Sequence, residues 1–287
     1  MSQTFNTRIG LVTLLVTVGL FRSYSPAKET GERGFDFSDY GAVLKAVIND
    51  NSMVSYKTLK ARPERLEAFI SAIGKLEPDR YERWGQKDKI AFWLNVYNGL
   101  TLKVIIDHYP IKASFFKSLI YPQNSIRQIP GVWDNIRFDV MGRNLTLGDI
   151  EHKILRAKFN DPRIHVAMVC AAMGCPPLRN EPYVGVKLDE QLDDQARRFL
   201  ANPAKFKIDR GEGRLYLSPI FKWFADDFAK TYASENNIGG HDRQESAVLN
   251  FIASHLSEAD RNYVLGGQSA IEYLKYDWAL NEQQGKD

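Results

Sequence analysis

The chain has 287 residues, 44% of them apolar and 25% charged. That is the composition of a globular protein and excludes a disordered tail, a collagen and a multi-span membrane protein. Lys and Arg number 38 against 35 Asp and Glu, a formal charge of +3. Arg8, Arg22, Lys28 and Arg33 carry much of that excess, and no dense Lys/Arg stripe follows them, so a nucleic-acid partner is not expected.

Arg8 precedes an uncharged apolar run from Ile9 to Phe21. The run is short for a membrane-spanning helix, which needs about 20 residues, and has the length of the apolar part of a secretory signal. The exit, Arg22-Ser23-Tyr24-Ser25-Pro26, is a poor cleavage site. Residues 1–25 are therefore read as a signal peptide or an uncleaved N-terminal membrane anchor, with 9–21 as the tether. Residues 26–35, with Pro26, Gly31 and Gly34, read as a linker. Residues 36–287 read as a single domain outside the cytoplasm: periplasmic, secreted, or membrane-anchored and facing outward.

Ser38 opens a helix with Tyr40, Val43, Leu44 and Val47 at helical spacing, and Asn49-Asp50-Asn51 stops it. Pro63 begins a second, with Leu66, Phe69, Ile70 and Ile73 inward and Gly74 near its end. Between Lys87 and Tyr109 the apolar residues cover most sides, and Lys103 is the only charge from Ile90 to Ile106. A helix of that kind is buried in a core, and Asn95 and Asn98 share one of its faces. Residues 111–145 read as loops with short strands at Ile126–Pro130 and Ile136–Val140 and a turn at Gly142. Thr146-Leu147-Gly148-Asp149 is a capping box, opening a helix with Ile150, Ile154 and Leu155 inward. From Arg163 to Cys170, Asp161 and Pro162 favour a helix start, while the alternation of Ile164, Val166 and Met168 favours a strand. The turn-like Gly174-Cys175-Pro176-Pro177 tips the reading to strand. Next come a helix from Leu188 to Leu200, a hairpin of Phe206–Asp209 with Leu215–Leu217, a helix from Ser218-Pro219 to Tyr232, and a helix from Ser246 to Leu256. Strand-forming residues occupy 271–278. The sum is an α+β fold: a single compact domain, mostly helical, with a small mixed or antiparallel sheet and a central buried helix.

The blocks 92–101 (FWLNVYNGLT), 147–156 (LGDIEHKILR), 161–178, 218–224 (SPIFKWF) and 276–281 (YDWALN) together resemble the bacterial branch of the domain of unknown function 547 family. The resemblance runs in order through nearly everything after the leader. It implies no activity, because the family has none assigned.

The residues that can carry chemistry are few. A thiol-dependent hydrolase or acyltransferase needs a thiolate, a base and a group that orients the base. Cys170 ends the apolar run, His152 lies on the capped helix, and Asp149 precedes it by three residues on the same face. Glu151 is an alternative acid or base, and Asn95 can donate to an oxyanion. Histidine before cysteine resembles the order in circularly permuted papain-like enzymes, an analogy only. Asn98, Arg163, His165, Cys175, Arg179 and Trp278 are candidates for ligand contact, the two arginines by holding a carboxylate or phosphate. The ligand class is a small molecule or peptide. A non-catalytic envelope module is the second reading, with Trp84, Trp133, Trp223 and Trp278 lining a groove for peptide or glycan. A thiol redox protein is the third: Cys170 and Cys175 can pair, although the C-x-x-C spacing of thiol oxidoreductases is absent. His152, His165, Cys170 and Cys175 have no standard zinc spacing, so neither metal nor other cofactor is expected.

Overall fold

A computed structural model describes residues 34–284 together with Met1. The expected leader, its tether at 9–21 and most of the linker lie outside the described residues. The first helices follow the spacing of their apolar residues. α1 (Ser38–Val47) buries Tyr40, Val43, Leu44 and Val47. The short α2 (Tyr56–Ala61) leads to α3 (Glu64–Gly74), which turns Leu66, Phe69 and Ile73 inward. α4 (Pro78–Glu82) places Tyr81 beneath Trp84. α5 (Gln86–His108) is the expected central helix, with every residue from Ile90 to Leu102 buried. It is apolar on all sides because neighbours pack on all sides: α2 and α3, the segment that carries Glu151, and α8. Gly99 allows the closest of these approaches, since a Cβ there would meet the Phe69 ring at 2.6 Å.

Beyond α5 two segments expected as strands are 3₁₀ turns instead. After the short α6 (Phe115–Ser118), the residues read as a strand at Ile126–Pro130 form a single 3₁₀ turn, Ile126–Gln128. The Ser125 hydroxyl accepts the Arg127 N–H, and the buried Gln128 amide satisfies the backbone of Ser114, Tyr121 and Pro122. These side-chain bonds replace a ladder. The strand expected over 136–140 is shorter, β1 (Phe138–Val140), and forms a hairpin with β2 (Arg143–Leu145) that turns at Met141 and Gly142, both at positive φ. The capping box forms as read: the Asp149 N–H donates to Thr146 Oγ1, and Asp149 Oδ2 accepts the Thr146 N–H, each at 3.0 Å. It opens a π-helical segment, Asp149–Leu155, that runs into α7 (Arg156–Lys158). The second such segment is Arg163–Cys170. Asp161 caps a 3₁₀ helix, Pro162–Val166, and an irregular segment leads from it to Cys170. The cap and proline outweigh the alternation, because no neighbouring strand is available to pair with it among the described residues.

α8 (Leu188–Leu200) has the expected bounds. β3 (Phe206–Asp209) pairs antiparallel with β4 (Arg214–Leu217). The expected helix from 219 to 232 is two, α9 (Pro219–Trp223) and α10 (Ala225–Tyr232), broken at Phe224. α11 (Arg243–Ala253) starts before Ser246 because the Asp242 side chain caps it, and α12 (Glu258–Leu265) follows. β5 (Ala270–Tyr273) adds to β4 in parallel, giving a mixed three-stranded sheet in the order β3-β4-β5. The strand expected over 271–278 therefore stops at Tyr273. The chain then laces back across the body: Met173 N–H donates to Ala279 O, Gly174 N–H to Asp277 O, and Val54 N–H to Asn281 O, at 2.7, 2.7 and 2.9 Å.

The described body has two apolar clusters. The larger surrounds α5; the second gathers residues of α8 to α12 and the mixed sheet. The architecture is mostly helical with two small sheets, as the sequence implies. No helix among the described residues is long and apolar enough to cross a membrane.

Candidate functional site

A cavity of about 310 Å³ opens where residues of both clusters meet. Tyr97, Glu151, His152, His165, Cys170, Cys175 and Tyr276 line it, with Arg127 and the indoles of Trp133, Trp223 and Trp278. A larger groove of about 900 Å³ runs along Asn49, Tyr109, Asp277 and Glu282 and gathers no comparable set of reactive groups.

The two cysteines are bridged. Cys175 is buried, and Cys170 is partly exposed towards the cavity. The Cys170 N–H donates to Cys175 Sγ at 2.9 Å. The Tyr276 hydroxyl lies 3.3 Å from Cys170 Sγ and donates to Cys175 Sγ at 3.2 Å. Tyr276 reaches the sulfurs because the C-terminal segment is laced to the 171–174 loop. Gly174 makes room for it: a Cβ there would lie 2.7 Å from the Tyr276 ring. Burial raises the Tyr276 hydroxyl well above its ordinary pKa, so it stays a donor.

Glu151 extends from the π-helical segment into the cavity, where Tyr97 donates to its carboxyl at 3.2 Å. Burial raises its pKa above the usual carboxylate value, against the pull of His152, Tyr97 and Arg156. A carboxyl shifted in that direction holds its proton more readily than an exposed one and so is suited to general acid–base work. His152, the next residue, is 3.9 Å from Glu151 and about half exposed. Its Nδ1 accepts from Arg156 Nη1 at 3.1 Å.

His165 is held differently. Its ring stacks on Phe224 with centroids 3.9 Å apart, and its Nε2 lies 2.9 Å from Asp227 Oδ2. Its Nδ1 is buried without a hydrogen-bond partner among the described residues. Burial lowers the His165 pKa; Asp227 opposes this, and Arg156 and His152 add to it. Burial disfavours the Asp227 charge, but bonds from His165, Arg156 and Lys230 hold its carboxyl well below the usual range. Arg156 and Lys230 bond the same carboxyl at 2.6 and 2.7 Å. The arrangement is therefore a neutral imidazole that donates to a carboxylate through Nε2 and keeps a lone pair on Nδ1.

The structure thus brings Cys170, Cys175, His152, His165, Glu151 and Trp278 together, and it does not bring the other candidates to them. Asp149 does not orient His152. Its carboxyl is committed to the Thr146 N–H and to Lys153 at 2.7 Å, and Lys153 is the first reason its pKa falls to about 2. Asn95 does not face the cavity as an oxyanion donor; it bonds the Tyr183 backbone in both directions, at 2.8 and 2.9 Å. Asn98 does the same for Ala167 O and Val169 N, at 3.1 and 2.8 Å, and so fixes the segment that ends at Cys170. Arg163 is held by Asp161, Asp189 and Asp193, and Arg179 by Glu181 and Asp194. Three of the four tryptophans considered for a groove line the cavity; Trp84 packs on Tyr81 and Phe92 instead. Asp227, Tyr97, Arg127 and Tyr276 were not singled out from sequence. Asp227 carried a signal: it shares a helical face with Phe224 and Phe228, where an acid has no place in a plain apolar stripe. No group of three His, Cys, Asp or Glu side chains among the described residues is placed to hold a metal ion.

Residues 81–200 match the family described as "Protein of unknown function, DUF547". This segment contains α5, the π-helical segment and both cysteines. No curated protein and no solved structure matches the chain.

Proposed function

We propose that the protein is a thiol-dependent acyl-transfer enzyme, a hydrolase or acyltransferase acting outside the cytoplasm, with Cys170 as nucleophile. The observation that carries this reading is the convergence on one aromatic cavity of a cysteine, the raised-pKa Glu151 and a His165–Asp227 pair with a free Nδ1. A dithiol reductant first opens the Cys170–Cys175 bridge and is itself oxidised to a disulfide. The Cys170 sulfur then attacks a carbonyl carbon, and His165 Nδ1 takes the thiol proton and returns it to the leaving group. Water or an acceptor nucleophile releases the acyl group. Tyr276 and Glu151 are placed to hydrogen-bond the carbonyl oxygen or the leaving group. The apolar run at 9–21 supports an envelope location. The sequence blocks at 218–224 and 276–281, beyond residues 81–200, support the bacterial branch of the family.

The test is the pH dependence of Cys170 alkylation by iodoacetamide in Cys175→Ser protein. The expected apparent pKa is below the ordinary thiol value of about 8.5, and it rises in His165→Ala, slowing reaction at pH 7 by roughly tenfold per unit. His152→Ala has a smaller effect, because its Nδ1 is occupied by Arg156. A thiol that is inert, or indifferent to His165, overturns the reading.

The bridge itself favours a second reading, thiol–disulfide exchange. An incoming thiolate would attack the accessible Cys170 sulfur, and the Cys175 thiolate would leave onto two donors, Cys170 N–H and Tyr276. Cys175→Ser separates the two: exchange needs Cys175, whereas release of p-nitrophenol from p-nitrophenyl acetate needs only Cys170.

A further inference from the structure

Arg127 reaches the cavity from the 3₁₀ turn Ile126–Gln128. Its guanidinium carbon is 4.8, 5.2 and 5.1 Å from the ring centroids of Tyr121, Trp133 and Trp278. Nη2 donates to the Tyr121 hydroxyl at 2.8 Å. Among the described residues no carboxylate pairs with it, whereas Arg156, Arg163 and Arg179 are each committed to acids. The one carboxyl in the same cavity, Glu151, is bonded to Tyr97 and pushed by burial towards its neutral form. A fixed positive charge with unused N–H groups therefore stands in an aromatic wall. Three rings hold the guanidinium in place without neutralising it. Its planar fork fits two carboxylate oxygens side by side, and the indoles of Trp133, Trp223 and Trp278 offer apolar surface to the rest of a ligand.

We propose that the cavity takes a ligand with a carboxylate on an apolar body, the carboxylate received by Arg127. The proposal rests on the acyl-transfer reading only in making that ligand the acyl substrate of Cys170; recognition of the carboxylate is independent of it.

The test uses the full chain with its disulfide intact, titrated with phenylacetate and with phenylacetamide, its neutral counterpart, and followed by tryptophan fluorescence. The expected result is that phenylacetate binds about tenfold more tightly than the amide, that added salt weakens the preference, and that Arg127→Met removes it. Arg127→Lys keeps the charge but not the fork and retains part of the preference. Near-UV circular dichroism shows whether each variant keeps its fold. Equal binding of the two probes, no binding of either, or a preference that survives Arg127→Met overturns the proposal.

A second measurement compares alkylation of Cys175→Ser protein by iodoacetate and iodoacetamide. Arg127→Met is expected to slow iodoacetate several-fold more than iodoacetamide, the shared slowing coming from loss of a cation near the thiol and the difference from loss of carboxylate recognition. If Cys170 is inert to both reagents while the phenylacetate preference depends on Arg127, the acyl-transfer reading falls and the carboxylate site stands. If His165-dependent alkylation is intact and the preference is absent, the reverse holds.

Discussion

Asn95 and Asn98 sit at the centre of the molecule and hold backbone rather than ligand. Each carboxamide both donates to and accepts from main-chain groups of a distant segment, as an in-register peptide would. Replacing either by alanine leaves a buried N–H and a buried C=O unpaired. The expected cost is about 2–5 kcal/mol, read from urea denaturation midpoints; a loss below about 1 kcal/mol would mean that water or relaxation replaces the amide. His165 makes a second residue-scale prediction. Its folded pKa lies below the usual 6.5, so between the two values the unfolded chain binds a proton that the folded chain does not. Stability is therefore expected to fall as pH drops below about 6.5 and to be flat in this contribution above it. The groups facing the ring are Asp227, Arg156, His152, Phe224 and Phe228; the control is His165→Gln, which should flatten the slope between pH 7 and 5. An unchanged slope in that variant refutes the assignment. Asp227 acts lower on the scale: its depressed pKa adds stability above the unfolded value that is lost as pH falls towards the folded one.

At the scale of elements, local signals were reliable where one partner decided the structure. The Thr146–Asp149 box is local, and it formed. Asp149→Ala is expected to cost about 1 kcal/mol as a lost cap and to leave Cys170 alkylation unchanged, since Asp149 serves the helix start and not His152. A change in the alkylation pH profile would contradict that division. The segment it opens is π-helical, and such wide turns often sit at functional sites; here Glu151 and His152, neighbours in sequence, both line one cavity. α6 and the residues after it show the opposite case, apolar side chains that stay largely exposed, with Phe115 and Phe116 meeting edge to face. Phe115, Phe116, Leu119 and Ile120 are each about three quarters exposed. Phe116→Ser with Leu119→Ser is expected to change stability by no more than about 0.5 kcal/mol and to shorten retention on a hydrophobic-interaction column. A large loss of stability would show that these side chains pack in solution.

Across the whole molecule, the cavity lies where the two apolar clusters meet, and long-range contacts define it. The disulfide closes only a short loop, with a sequence separation of 5. Chain entropy then assigns it about 2 kcal/mol, a small part of the stabilisation expected from the two apolar clusters. Reduction is expected to lower the denaturation midpoint modestly and keep the far-UV spectrum; unfolding on reduction would show that the bridge organises the fold. The family match at residues 81–200 covers α5, Glu151, His152, His165 and both cysteines, but not Asp227, Trp223, Tyr276 or Trp278. Five of the fifteen cavity-lining residues thus come from outside it. By itself the sequence determined the central helix, the caps, the β3–β4 hairpin and the fold class, because periodicity and capping act within one or two turns of chain. It also pointed to Cys170, Glu151 and His152 by residue type. Only the tertiary structure decided that His165 pairs with Asp227, 62 residues away, and that Tyr276 meets sulfurs more than 100 residues earlier. Periodicity says which face of an element is buried and nothing about which other face it meets. For that reason the sequence pairs His152 with Asp149, whereas the structure pairs His165 with Asp227 and commits Asp149 to Thr146 and Lys153, and the sequence reads a 3₁₀ turn as a strand: each depends on a neighbour that only the folded chain supplies.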